Sequence, residues 1–161
     1  MFRSSSFAML AMFLAAAATA QSPAPHETDA AITIAQAMAP REQLRGLILA
    51  TLSRATTAAM IEGKLGREAT SKLFATETAG AVDRHGDEWA DLLAAAYRDT
   101  LTPVELATAQ AAFRSGDRTA MAPLMQRVGP VMQERATPLL NKAVTEVLAA
   151  AYEKMGKETA R

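Results

Sequence analysis

Apolar residues recur every three or four positions along this chain, and alternation with a period of two never extends beyond a few residues. The clearest case is the stretch 88–100, where the apolar positions are Trp89, Leu92, Leu93, Ala96 and Tyr97. This spacing places the side chains on one face of an α-helix, whereas a half-buried strand requires strict alternation. The pattern therefore predicts an all-α protein.

Residues that start and stop helices divide the pattern into about five to six helices joined by short loops, which we expect to form a compact bundle. Pro40 suits the first turn of a helix, and Gly63 and Gly66 bracket a turn. The Asp83–Asp87 segment is predicted to be a loop, with Asp87 as a helix cap. The predicted helices include residues 29–39, 40–61, 67–82, 88–100 and 131–154, with a kink where Pro138 interrupts the last one.

The segment Thr102-Pro103-Val104-Glu105 combines three signals for a helix start. A threonine can cap the helix, proline fits its first position, and a glutamate three residues after the cap completes a capping box. Ser115-Gly116-Asp117 ends this helix, and Asp117 can cap the next one. Because the connection at residue 101 is short, we expect this helix to pack antiparallel to helix 88–100, with Phe113 near Trp89.

Around these helices the chain resembles a known family of exported bacterial proteins. Residues 96–134 resemble the DUF2059 domain, in which a tyrosine precedes a Phe/Leu-Thr-x-x-Glu-Leu helix start and a later aromatic residue. The positions that fit are Tyr97, Leu101, Thr102, Glu105, Leu106 and Phe113. Arg114 and Gly116-Asp117 depart from the family pattern. The resemblance implies an all-helical exported domain and supplies no catalytic residues.

The first 20 residues have the pattern of a signal peptide. Arg3 is followed by an unbroken apolar stretch from Phe7 to Ala18, and Ala18-Thr19-Ala20 fits the small-x-small cleavage rule. The apolar stretch falls short of the roughly 20 residues that span a bilayer, so an uncleaved anchor is the weaker alternative. We expect cleavage after Ala20, a periplasmic or secreted location, and no membrane insertion after cleavage.

After the leader, residues 21–28 are predicted to be a flexible N-terminus, residues 29–155 a single helical domain, and residues 156–161 a tail. The chain contains no cysteine, which excludes disulfides, thiol nucleophiles and zinc–thiolate sites. Seventeen basic residues balance seventeen acidic ones, so the charge gives no indication of a nucleic-acid partner.

The large side chains on the predicted faces are the candidate functional residues. They could line an apolar pocket between helices or an interface, although side chains at helical spacing more commonly form plain core. The alanine-rich stripes 94–96 and 149–151 would allow close approach of helices, within the chain or in a dimer. The candidate pocket or interface residues are Trp89, Tyr97, Phe113, Met121 and Met125.

Two metal sites are possible in principle. His85 lies close in sequence to Asp83, Asp87 and Glu88, but the chain has only two histidines, and a solvated loop explains the cluster better. Soft thioether ligands favour Cu(I), and Met38 or Met60 could join a second group consisting of Met121, Met125 and Met132. Methionines that fill an irregular core poor in aromatic residues are the simpler explanation. We therefore predict neither a metal nor another cofactor.

The sequence predicts an exported, non-catalytic helical protein that binds an envelope protein partner or forms a homodimer. The alternative is a carrier of a small apolar ligand held in a pocket between helices. An enzyme is not expected, because the chain has no Gly-x-Ser-x-Gly element and no histidine placed as a base. It also has no glycine-rich phosphate loop.

Overall fold

The structure is a computed structural model that describes residues 25–159, and side chains are described for residues 30–157. The predicted signal peptide and its cleavage site lie outside the described residues. Between residues 25 and 159 the chain forms helices and no strands, as the sequence predicted. The helices are α1 (Pro25–Ala37), α2 (Pro40–Leu52), α3 (Thr56–Leu65), α4 (Arg67–Thr100), α5 (Pro103–Ser115) and α6 (Arg118–Thr159).

Two long helices form the centre of the bundle. α4 has 34 residues and α6 has 42, which at 1.5 Å per residue correspond to lengths of roughly 50 and 60 Å. They run antiparallel, because the start of α4 pairs with the end of α6 through Glu77 and Lys154, and its end pairs with the middle of α6 through Asp99 and Arg135. α1, α2 and α3 pack against this pair, and α5 packs against α1 and α6.

The buried apolar side chains form two clusters along the long helices. The first cluster lies between α2, α4 and α6, with one residue from α1, and is built on Leu44, Ile48, Trp89, Leu93 and Val147. The second lies where α1, α5, the end of α4 and the start of α6 meet. Its fully buried members include Ile34, Tyr97, Leu106 and Val128. The predicted face of helix 88–100 is thus divided between two cores.

The prediction of a loop at residues 83–87 was wrong, because α4 passes through this segment without a break. His85 and Gly86 are both buried there. A Cβ atom on Gly86 would lie 2.9 Å from Cγ of Arg41, so the glycine allows the Arg41 side chain to lie directly against the helix. Close packing, rather than a turn, accounts for this glycine.

Other helix boundaries also differ from the prediction. The predicted helix 40–61 is divided at residues 53–55, where Ala55 is extended with φ −81° and ψ 129°. Ala58 and Ile61 are therefore buried in α3, while Ala59 is exposed. α1 begins at Pro25, within the segment that we expected to be flexible.

At the other end of the chain, α6 begins well before residue 131, where the last helix was predicted to start, and reaches Thr159 in the predicted tail. Pro123, Pro130 and Pro138 are all exposed. The carbonyl groups that these prolines leave without an intrahelical donor belong to Thr119, Gln126 and Glu134, which are exposed as well. Water can therefore replace the missing hydrogen bonds, which is why the helix can continue.

Candidate ligand-binding site

Four of the five candidate residues come together in the second core cluster. Tyr97, near the end of α4, is fully buried, and its ring meets Phe113 of α5 edge-on with centroids 6.4 Å apart and planes at 73°. Met121 and Met125, from the start of α6, belong to the same cluster. This edge-on arrangement is favourable for aromatic pairs and orients both rings.

The hydroxyl group of Tyr97 contacts the thioether sulfur atoms of two methionines. Its Oη lies 3.0 Å from Sδ of Met125 and 3.5 Å from Sδ of Met38, which directly follows α1. Burial raises the pKa of Tyr97 to about 12, so the hydroxyl stays protonated and acts as a hydrogen-bond donor. Since thioether sulfur is a weak acceptor, this contact positions the Met125 side chain more than it stabilises the fold.

Beside this group the surface opens into a cavity of about 340 Å³ between the end of α5 and the start of α6. This volume lies within the roughly 300–1,000 Å³ that is typical of small-molecule sites. The walls are apolar apart from two charged residues in the turn between the helices. The lining residues are Ala112, Phe113, Gly116, Asp117, Arg118, Met121 and Met125.

The turn that closes this cavity is fixed by its sequence. Gly116 ends α5 with φ 72° and ψ 20°, a left-handed conformation that favours glycine. The Asp117 carboxylate then accepts hydrogen bonds from the backbone N–H groups of Thr119 and Ala120, at 3.0 and 3.1 Å, and caps α6. The predicted roles of Ser115-Gly116-Asp117 are confirmed, and they place the first turn of α6 directly beside Phe113.

Trp89 does not belong to this site. It is buried in the first core cluster, and its indole Nε1 donates to Oε1 of Gln43 at 3.0 Å. The prediction that Phe113 lies near Trp89 was wrong, because α5 packs against α1 and α6 and does not run back along α4. Instead, Phe113 meets Tyr97, close to the connection between the two helices.

The residues considered for metal binding pair with other groups. His85 Nε2 lies 2.9 Å from Oε2 of Glu146, while Asp83 and Asp87 face Arg41 at 3.7 and 2.8 Å. Within residues 30–157 the structure forms no group of three or more acidic or histidine side chains suited to a metal ion. Asp87 lies inside α4, so its predicted role as a helix cap was wrong.

The methionines considered as a thioether site are only partly together. Met38, Met121, Met125 and Met132 belong to the second core cluster or pack against it, whereas Met60 of α3 is 57% exposed. Their packing around Tyr97 and Phe113 is what flexible side chains filling an irregular core produce.

The cavity also uses residues that sequence reasoning missed, namely Ala112 and Arg118. For Arg118 the predicted cap at Asp117 was the available signal, because it places the next residue in the turn region between the two helices.

No protein family model, curated protein or solved structure gives a match to this chain. The resemblance to DUF2059 therefore stays a prediction from the residues at 96–134. In the described part of the chain, no helix combines the length and apolar character that a membrane span requires.

Proposed function

We propose that this protein is an exported, non-catalytic helical protein that binds a small apolar ligand in the cavity between α5 and α6. The observation that carries the proposal is the cavity itself, with Phe113, Met121 and Met125 in its walls. Methionine side chains adapt to ligands of different shape, and a neighbouring aromatic ring offers a flat apolar surface. The leader-like pattern of residues 1–20 supports an exported location.

Self-association or binding of an envelope protein receives less support from the surface. Across the described residues, the large exposed apolar side chains are distributed over five helices, with at most two on any one of them. Scattered apolar residues are normal on soluble proteins, whereas a docking face gathers them into a patch. They are Ile32, Leu47, Leu49, Met60, Val104 and Tyr152.

The proposal can be tested with N-phenyl-1-naphthylamine, a neutral aromatic probe, and protein carrying ¹³C-labelled methionine methyl groups. Ring currents of a bound probe should shift the methyl signals of Met121 and Met125, which line the cavity. The signal of exposed Met60, on α3, serves as the internal control. Shifts confined to Met60, or no shift at saturating probe, would contradict the proposal.

A matched pair of substitutions locates the binding. Ala112 is buried and lines the cavity, while Ala111 is exposed on the same helix. Ala112→Leu should fill part of the space and weaken probe binding, and Ala111→Leu should leave it unchanged. If Ala112→Leu lowers stability too far, Phe113→Leu, which removes the flat ring, should weaken binding of the aromatic probe. Equal effects at Ala111 and Ala112 would mean that the probe binds elsewhere.

A further inference from the structure

The rim of the cavity carries two charges of opposite sign, and only the negative one already accepts hydrogen bonds from the described chain. The Asp117 carboxylate is held by the first backbone N–H groups of α6. Arg118, the first residue of α6, is exposed and lines the cavity. It forms neither an ion pair nor a side-chain hydrogen bond with any residue that the structure describes.

Several arginines in the described chain behave differently. Arg41, Arg84, Arg127 and Arg135 each pair with a carboxylate on another helix, at distances that include 2.8 Å for Arg41 and 2.6 Å for Arg135. These arginines hold helices together. Arg118 pairs with no carboxylate among the described residues, and it lines an apolar cavity. Its guanidinium can bind a carboxylate through two parallel hydrogen bonds.

Among the charges at this mouth, Arg118 is the group that favours an anion. The N-terminus of a helix carries a partial positive charge, and α6 begins at Arg118. The Asp117 carboxylate, which accepts from Thr119 N and Ala120 N, carries a full negative charge and offsets this partial charge, so the helix end adds no attraction of its own. An apolar wall with one cation at its edge that pairs with no described residue is complementary to a molecule with an apolar chain and one anionic end.

We infer that the ligand is an anionic amphiphile, a free alkyl carboxylate whose chain fills the cavity and whose carboxylate pairs with Arg118. This inference rests on the proposed function, since it names the chemical class that the cavity takes. Phe113, Met121 and Met125 contact the chain and set its size, while Arg118 distinguishes the acid from uncharged molecules of the same length.

The test compares decanoate with 1-decanol, which share one chain and differ in charge, by displacement of N-phenyl-1-naphthylamine below micelle-forming concentrations. Decanoate should bind about three- to tenfold more tightly than decanol, as expected for a charge-assisted contact at an exposed rim. Added salt should reduce this preference, because it screens exposed charges.

Two variants test whether Arg118 causes the preference for decanoate over decanol. Arg118→Gln should make decanoate and decanol bind with equal affinity. Arg114→Gln removes the same charge four residues earlier, in the last turn of α5, at an exposed position that does not line the cavity, and should keep the preference. Equal loss in both variants would overturn the assignment to Arg118, because it would show a general effect of positive charge.

The remaining outcomes separate the inference from the proposed function. If decanol binds and decanoate gains nothing, the ligand is apolar but uncharged, so the inference fails and the cavity remains a binding site. If neither molecule displaces the probe, or the probe itself does not bind, the proposed function fails as well. If the protein binds decanoate only when it is incorporated into anionic vesicles, the partner is a membrane surface, and the inference of a free ligand is overturned.

Discussion

Arg41 and Gly86 show how a single residue can decide the course of a helix. The side chain of Arg41, from α2, lies across α4 at Gly86 and donates to the Asp87 carboxylate at 2.8 Å. A larger residue at position 86 would meet the middle of the Arg41 side chain rather than its flexible end. The glycine thus lowers the intrinsic helix propensity of α4 and in return permits its close contact with α2.

This contact predicts an unusual result for Gly86→Ala. Replacing a glycine in a helix interior by alanine commonly stabilises it by about 0.5–1 kcal/mol. We expect that gain for Gly63→Ala in α3, where a Cβ atom meets nothing within 4 Å. Gly86→Ala should instead lower the free energy of unfolding in urea titrations, because Arg41 must move. The double variant Arg41→Ala/Gly86→Ala should recover stability, and a gain in the single Gly86→Ala variant would contradict the contact.

The pair formed by His85 and Glu146 makes stability depend on pH. The hydrogen bond from buried His85, followed by that from Arg84, lowers the pKa of Glu146 below its ordinary value. A carboxylate with a lowered pKa in the folded state stabilises the protein above its unfolded pKa, and this contribution is lost as the pH falls through the folded pKa. The fold should therefore weaken in acid.

Glu146→Gln tests this linkage. The variant should be less stable than wild type at neutral pH, and its stability should decline less between about pH 5 and about pH 3. Glu88→Gln is the control, since Glu88 is exposed and pairs with no described residue. Urea titrations across this range provide the measurement, and parallel curves for wild type and Glu146→Gln would exclude the linkage.

At the scale of elements, the start of α5 has the capping box that its sequence predicts. Thr102 Oγ1 accepts from the Glu105 backbone N–H, and the Glu105 carboxylate accepts from the Thr102 backbone N–H at 2.9 Å. This second bond is the main reason that the pKa of Glu105 lies below its ordinary value. A capping box depends only on neighbours in the chain, which is why it could be predicted.

Thr102→Ala should cost about 1 kcal/mol, because one N–H group of the first turn loses its acceptor. For a chain of this size the melting temperature should fall by on the order of 2–4 °C. Thr108→Ala in the same helix is the matched control. The Thr108 hydroxyl bonds to the Val104 carbonyl, which already serves the helix, so its loss should be neutral or slightly stabilising. A similar loss in both variants would remove the special role of Thr102.

The elements that sequence reasoning missed depend on contacts between distant residues. Gly86 was interpreted as part of a turn because its contact with Arg41 forms only in the tertiary structure and leaves no local signal in the sequence. The break at residues 53–55 carries neither glycine nor proline, so nothing local marks it. In the candidate site, Tyr97, Phe113, Met121 and Met125 followed from their helical faces. Trp89 was misplaced because the face it shares with Tyr97 is divided between two cores.

At the scale of the whole molecule, the two core clusters share the long helices α4 and α6. We therefore expect both clusters to unfold together. The only tryptophan, Trp89, reports on the first cluster, and circular dichroism reports on all helices. Its emission should be blue-shifted in the folded state, and both signals should change at the same urea concentration. A separate earlier transition in circular dichroism would show that the second cluster unfolds independently.

The export prediction also concerns the whole chain. If residues 1–20 are a signal peptide, the protein in the envelope fraction should begin at Gln21. Intact-mass measurement of that fraction decides the point. Ala20→Leu should block processing, since a small residue is needed directly before the cleavage site. Recovery of the uncleaved chain from membranes would contradict the prediction.

The antiparallel pairing of α4 with α6 determines when the newly made molecule can fold. The side chains that join these helices are far apart in the chain, by 61 residues for His85 and Glu146 and 77 for Glu77 and Lys154. Contacts of such high order form slowly, and here they must wait until the last helix has left the ribosome. Until then the newly made chain cannot complete either core. A chain that has not completed its cores during synthesis is in the state that a translocation channel accepts. If residues 1–20 direct export, the order of the helices therefore favours transport before folding.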